Sequence, residues 1–415
     1  MKRSPLAWAF YDWANSAFAT VVMAGFFPLF FKQYWADSLS TADSTFWLGV
    51  VNSGASLTIV VLAPILGALA DQSGRKKGFL LIFALLGIVM TCGLSLAAQG
   101  AWLMAMLFYL LAVIGFMGAN VFYDALLLNV ISRNGQESDR VSALGFALGY
   151  LGGGLLFALC VLMTQQPQWF QLADTAAAVK TSFFLVGIWW ALFSIPIMLF
   201  VQEEKKTSPP AVLQSALKRV VSTVRELKVL RAAALFLFAY WLYIDGVGTV
   251  VRMAIDYGIS IGFDSNHLII ALLITQLIGF PATLVYGRLT RYLDIRTGIL
   301  IGIAVYCLVT VWGSLMQSAW EFYALACVIG LVQGGVSALS RSLFTRLIPA
   351  DRAAELFGFY NMVGKSATII GPVMMGWVGI LTGSPRISIL SLLILFIAGG
   401  ILLMKLKIPA TRPAD

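Results

Sequence analysis

The stretch Gly67-Ala68-Leu69-Ala70-Asp71-Gln72-Ser73-Gly74-Arg75-Lys76-Lys77 joins two apolar blocks, 46–70 and 78–98. Each block is near the roughly 20 residues a helix needs to cross about 30 Å of hydrocarbon. Two such blocks with so short a polar connection form a helical hairpin. Gly67 and Gly74 are small enough to let the two helices and their turn approach closely. Asp71 ends one helix, while Arg75, Lys76 and Lys77 begin the next. Such a charge cluster can lock one conformation and release it in another. A positive-inside anchor alone would account for the three basic residues. It would not account for the spacing of the glycines, the aspartate and the arginine.

The rest of the chain repeats the pattern of apolar block and polar turn. Hydrophobic residues make up 60% and charged residues 11%, with mean hydropathy +0.88. An average soluble protein carries about 25% charged residues. Blocks of spanning length fall at 6–31, 46–70, 78–98, 102–131, 141–163, 182–201, 232–256, 268–289, 297–316, 321–347, 353–382 and 386–406. They are far longer than the roughly 10-residue alternating strands of an outer-membrane barrel, so the sequence predicts an all-α integral membrane protein of twelve transmembrane helices. Met1-Lys2-Arg3 before an apolar run has the look of a signal peptide, but Asp12 and Asn15 interrupt the run and it continues past Ala19, so it reads as a retained first span. Cys92, Cys160, Cys307 and Cys327 lie inside spans without CxxC spacing and read as packing residues, neither disulfides nor metal ligands.

Most of the 28 Lys and Arg fall in the loops on one side. These are Lys2, Arg3, the 75–77 cluster, Arg133, Arg140, the basic residues of 205–231, and Arg288, Arg291, Arg296, Arg346, Arg352, Lys405, Lys407 and Arg412 in the later loops or at the span ends beside them. Lys32, Lys180, Arg252 and Arg386 fall outside, or at the outer end of a span. The rule for basic loops puts both termini in the cytoplasm, and the net charge of +9 reflects topology, with no support for nucleic-acid binding. The long polar stretch 202–231 divides the chain into 1–201, an N-terminal six-helix half, and 232–415, a C-terminal one. Gly287-Arg-Leu-Thr-Arg291 after span eight echoes the loop at 67–77, Tyr243-Ile244-Asp245 echoes Tyr11-Asp12, and Asp351-Arg352 echoes Asp139-Arg140. Two such halves around a midplane site are the architecture of alternating access.

The G-x-L-x-D-x-x-G-R-K spacing resembles the signature loop of the major facilitator superfamily, over all twelve spans. Arg291 stands at the aspartate position of the second copy, so a gating role is placed on Gly67, Asp71, Gly74 and Arg75 only. Tyr11-Asp12-Trp13-Ala14-Asn15-Ser16-Ala17-Phe18 resembles the hallmark of the Unknown Major Facilitator family, which is similar to fungal vacuolar effluxers of amino acids. The resemblance implies two pseudo-symmetric six-helix halves and transport, in which spans one, four, seven and ten line a central cavity.

Polar residues inside the spans supply the candidate substrate site. Asp12, Asn15 and Ser16 form one stripe on span one, and Asn120 and Asp124 are one turn apart on span four. Asp245, Thr249, Arg252 and Asp256 share a face of span seven; Gln333, Ser337 and Arg341 recur at every fourth residue of span ten; Asn361, Lys365 and Thr368 lie on span eleven. Facing lipid would leave these groups unsatisfied, so they are expected to face the cavity or other helices. Asp12, Asn15, Asn120, Asp124, Asp245, Gln333, Arg341, Asn361 and Lys365 are assigned to substrate, with Asp12, Asp124 and Asp245 as proton-coupling residues. A zwitterion would find carboxylates on the first half and cations on the second. The competing reading pairs Asp124 with Arg341 or Asp12 with Lys365 as an inward gate. Lys365, about 16 Å along span eleven at roughly 1.5 Å per residue, reads as a midplane residue.

The remaining features narrow the function. His267 reads as a solvated loop residue, and most tryptophans as an interfacial belt. Gly152-Gly153-Gly154 and Gly334-Gly335 read as close helix contacts, and no phosphate-binding loop with its lysine appears. An intramembrane enzyme would need a nucleophile–base set or a metal cluster, and one histidine with scattered cysteines offers neither. No cofactor or metal is expected. The expected partners are a small polar solute such as an amino acid or short peptide, protons and the bilayer, with the chain acting as a monomer in a bacterial inner membrane. A broad drug or lipid exporter is the alternative within transport, and a non-transporting receptor lies outside it.

Overall fold

The computed structural model describes residues 3–134, 138–203, 230–289, 294–348, 356, 359–360, 363–364 and 367–406, with Gly67 and Asp71 described for the backbone only. The described residues are helical with no strand. The helices are α1 (Arg3–Ala17, running on through Phe18–Phe26, Phe27–Phe30 and Phe31–Trp35), α2 (Thr41–Ser73), α3 (Lys76–Leu94), α4 (Trp102–Asn134), α5 (Ser138–Gln165) and α6 (Thr175–Phe200). The second set is α7 (Arg231–Ser260), α8 (Ser265–Leu289), α9 (Ile295–Leu315), α10 (Ala319–Leu347), α11 (Ile370–Thr382) and α12 (Pro385–Lys405). Eleven are long and apolar enough to cross a membrane; α11 is a shorter apolar helix. Most of the connecting loop, residues 204–229, lies outside the described residues, as do Asn361 and Lys365. Odd-numbered helices run from the face where α1 begins, the terminal face, to the opposite face, and even-numbered helices return.

Local chemistry sets the hairpins. The Ser40 hydroxyl accepts from the Asp43 N–H at 3.1 Å to open α2, and Gly74 closes it in the left-handed region at φ 64°. Asp174 and Asp294 open α6 and α9 by accepting from the N–H groups of Ala177 at 2.7 Å and Thr297 at 3.1 Å. The basic end of the hairpin loop is tied to its own half: Lys77 Nζ donates to the carbonyls of Met198 at 2.7 Å and Val201 at 2.8 Å at the end of α6. Arg75 is exposed.

The same packing pattern recurs in both sets of six. In the first, α3 packs on α4 and α6, α1 on α5 and α6, and α2 on α4; in the second, α9 packs on α10 and α12, α7 on α12, and α8 on α10. The two sets meet along α2–α11 and α5–α8. Outward-facing Leu57, Ile82, Leu107, Leu199, Leu308 and Ile394 are exposed, as expected of surfaces that contact lipid tails.

Glycine sets the closest helix approach. A Cβ on Gly115 of α4 would lie 2.4 Å from the backbone nitrogen of Gly87 on α3, so these helices touch backbone to backbone. Gly115→Ala is therefore expected to cost about 1–3 kcal/mol through overpacking, read as a lower melting temperature in detergent. Gly54→Ala, where a Cβ meets nothing within 4 Å, is expected to melt with the wild type. The glycines of span five behave as read from sequence: a Cβ on Gly152 would meet Trp13 at 2.6 Å, and one on Gly153 would meet Thr20 Oγ1 at 2.8 Å.

One expected span is interrupted. The sequence reads 353–382 as continuous, but residues 367–369 are not helical, Thr368 has φ 94°, and helix resumes at Ile370. Residues 356, 359–360 and 363–364 before the break are helical. Pro372 falls in the first turn of the resumed helix, where its missing N–H leaves no gap.

Candidate functional site

Polar residues between the two halves fall in four levels from the terminal to the opposite face. At the terminal level, the Arg341 guanidinium of α10 stands 5.2 Å from the centroid of the Phe146 ring on α5, a cation–π contact across the halves. The charges of Asp12, Asp124 and Arg341 all act on the Tyr123 phenol. Those of Arg341 and Asp124 also act on Tyr240, whose ring stacks on Tyr360 at 4.5 Å. The two carboxylates of the first half and the arginine of the second thus lie within electrostatic reach of one phenol.

The octapeptide around Asp12 builds much of this level. Asn15 Nδ2 donates to Asn120 Oδ1 at 2.8 Å, and both residues are buried. This bond joins α1 to α4. Trp8 stacks on Tyr123 at 4.2 Å and donates its indole N–H to the Tyr123 carbonyl at 2.9 Å. Trp189 and Trp190 of α6 donate to the Trp13 carbonyl at 3.3 Å and the Tyr11 hydroxyl at 3.4 Å. Asp12 faces the small surface of α5, where a Cβ at Gly149 would come within 3.3 Å of its Cγ, and it accepts from Ser16 Oγ at 3.3 Å.

The second level is the break in α11. Asp245 of α7 accepts from the backbone N–H groups of Ile369 at 3.2 Å and Ile370 at 2.8 Å on Oδ2, and Gly371 at 3.0 Å on Oδ1. Thr249 Oγ1 adds a fourth contact, 3.2 Å from Oδ1. A carboxylate so placed satisfies the open donors of a helix N-terminus and opposes its dipole. Gly371 is required, because a Cβ there would lie 2.1 Å from Thr249 Oγ1. Thr368, at the break, shares a 3.3 Å hydrogen bond with Ser56 of α2.

At the third level, Tyr109 of α4 donates to Asn52 Oδ1 on α2 at 3.1 Å, and the charge of Arg252 on α7 acts on Tyr109. At the fourth, Lys32 at the end of α1 and Asp256 of α7 form a 2.6 Å ion pair, 6% and 1% exposed. Lys32 also donates to Thr45 Oγ1 at 2.8 Å and Ser260 Oγ at 2.6 Å, and Thr45 donates to Asp256 Oδ2 at 2.8 Å. The backbones of α2 and α11 close the same face: a Cβ on Gly49 would lie 2.4 Å from the Pro372 carbonyl oxygen, and one on Gly376 would lie 2.7 Å from Phe46 Cα. On the other seam, Gln276 of α8 donates to Thr20 of α1. The opposite face is shut.

Sequence reading singled out Asp12, Asp124, Asp245 and Arg341 as polar residues inside spans but missed Lys32, Thr45, Tyr109 and the break. The signal for Lys32 was its placement: a lone lysine directly after an apolar run, on the side where basic residues are sparse. Gln333 is half-buried on α10, and His267 lies exposed at the opposite face with Nδ1 2.5 Å from the Tyr323 hydroxyl. No group of three or more metal-ligating residues occurs among the described residues.

Two six-helix sets that share one packing pattern, shut on one side by a buried ion pair between them, define a membrane transporter of the major facilitator superfamily. Solved structures agree on the fold: a point mutant of the nucleoside transporter NupG, with TM-score 0.71 at 14% identity over 97% of this chain and 99% of that one, and the human organic anion transporter MFSD10 (TETRAN), with TM-score 0.66 at 16% identity over 97% and 99%. The chain belongs to the family described as vacuole effluxer Atg22 like, which matches residues 40–134 and 129–413. The uncharacterized MFS-type transporter YxiO of Bacillus subtilis (strain 168) is 40% identical over 402 residues, 96% of this chain and 93% of YxiO. Autophagy-related protein 22-1 of Aspergillus niger is 27% identical over 275 residues, which span 59% of this chain and 44% of that relative.

Proposed function

We propose that this protein is a proton-coupled secondary transporter that moves a small polar solute, an amino acid or short peptide, by alternating access. The observation that carries the reading is the buried Lys32–Asp256 pair joining α1 to α7. A buried pair between halves is a latch, because its geometry exists in one state and must be broken in the other. The vacuole-effluxer description of the family supports outward movement of solute. The clustering of basic residues in the terminal loops supports cytoplasmic termini in a plasma membrane. Both halves lie in one chain, which supports a monomer.

Among the three carboxylates considered for the proton, Asp245 has both oxygens engaged by the start of α11. This supports Asp12 or Asp124, beside Arg341, as the carrier. In proteoliposomes with an imposed pH gradient, the wild type is expected to accumulate one or more radiolabelled L-amino acids or dipeptides. Asp12→Asn or Asp124→Asn is expected to abolish uphill accumulation while sparing exchange without a gradient. Accumulation by both variants equal to wild type would refute the assignment of the proton.

The lipid or drug exporter is favoured by one observation. A groove of about 640 Å³ between α2 and α11 is lined by Val50, Gly54, Leu57, Val373, Trp377 and Leu381. Flux of lipophilic cations without flux of amino acids or dipeptides would decide for it.

A further inference from the structure

Several charges on the opposite-face side of the molecule have named partners. Asp256 is taken by Lys32, and Asp245 by three backbone N–H groups and Thr249. Lys180 stands 5.1 Å from the centroid of the Tyr34 ring, and Arg386 donates to the Ser314 carbonyl at 2.7 Å. Asp43 and Asp174 serve helix caps. Arg252 differs: the Asp245 charge reaches it, yet one of its nitrogens makes no hydrogen bond. Its Nη1 is buried and has no hydrogen-bond partner, and it is the one cationic nitrogen in that position among the described residues. The Tyr109 hydroxyl gives its proton to Asn52 Oδ1 and accepts none from Arg252 Nη1. Burying a guanidinium nitrogen without an acceptor is costly, and an empty binding group is one reason such an arrangement persists.

Position supports the same conclusion. Arg252 shares a face of α7 with Asp245, Thr249 and Asp256. It lies one turn, about 6 Å of helix rise, inside the Lys32–Asp256 latch. Tyr109 of the other half and Asp245 of the same helix both act on it electrostatically. The start of α11 offers no competing anion site, because Asp245 already occupies it.

We infer that Arg252 is the anchor for an oxyanion group of the transported solute, a carboxylate or a phosphate, held between α7 and α4 directly beneath the latch. This rests on the transport reading above and adds to it the residue and the chemistry. A guanidinium presents planar paired donors that match either oxyanion.

The test measures ligand-induced thermal shifts and equilibrium binding on purified protein, independent of flux. The probes are L-leucine against L-leucinamide, L-leucyl-L-leucine against its amide, and glycerol 3-phosphate against glycerol. Wild type is expected to bind at least one anionic probe and to discriminate against its neutralised partner. A carboxylate response alone identifies the first source, and a phosphate response alone the second. Arg252→Met is expected to lose that discrimination, with affinity falling about ten- to a hundredfold, and Arg252→Lys to retain part of it. The ligand-free Arg252→Met protein is expected to melt at or above the wild-type temperature, because a buried guanidinium nitrogen without an acceptor has been removed. A Met variant that melts lower and still discriminates between the probes would assign Arg252 a structural role. Failure of wild type to bind any anionic probe would also overturn the inference. Wild-type flux of amino acids with unchanged discrimination in Arg252→Met would sink it while leaving the transport reading intact.

Discussion

Asp245→Ala is expected to unseat the half-helix α11 and to abolish transport. The substitution strands the N–H groups of Ile369, Ile370 and Gly371 at the point where the chain breaks inside the membrane. Each buried donor without an acceptor costs about 1–3 kcal/mol, and the carboxylate's interaction with the helix dipole is worth up to about 2 kcal/mol. A loss on the order of 5 kcal/mol follows from these two contributions, to be read as a large fall in melting temperature in detergent. Asp245→Asn keeps one acceptor oxygen and is expected to fall between the two. If the alanine variant melted with the wild type, the cap would not be what holds α11.

Lys32→Met is expected to open the opposite face. It leaves Asp256 buried without its cation, and breaking such a pair from one side costs about 3–5 kcal/mol. The closed state should lose roughly two to four orders of magnitude in population relative to the open one. Ser56 reports the change, because its hydroxyl meets Thr368 on the seam between α2 and α11. In a background without Cys92, Cys160, Cys307 and Cys327, a cysteine at Ser56 should react slowly with an impermeant thiol reagent from the opposite face. Adding Lys32→Met should accelerate that reaction strongly, and adding Asp256→Asn should restore much of the protection. Equal labelling rates in all three proteins would show that the latch carries no conformational energy.

The fold was legible because bilayer thickness imposes a length on every apolar block. Eleven blocks became helices within a few residues of their expected ends. The break in the twelfth was not legible from hydropathy, since Thr368-Ile369-Ile370 is as apolar as helix. Its cause, the carboxylate of Asp245, lies on another helix far away in sequence. Gly371-Pro372 was the local hint. The site was half legible for the same reason. Ionisable residues in spans stand out singly, but pattern alone could not show that Asn15 and Asn120 bond to each other. Nor could it show that Asp245 caps a helix and that Arg252 has a nitrogen left over.

The cap on α11 has a mechanical consequence. Asp245 belongs to α7, so the outer part of α11 is pinned to α7 and travels with it as one lever. The parting line of the molecule then runs along α2: through Gly49 against Pro372, Phe46 against Gly376, and Ser56 against Thr368. At Gly49 and Gly376 the two helices meet through backbone atoms, while Leu57, Val373, Met374 and Trp377 line the groove beside them. The break at 367–369 then lies at the inner end of that lever.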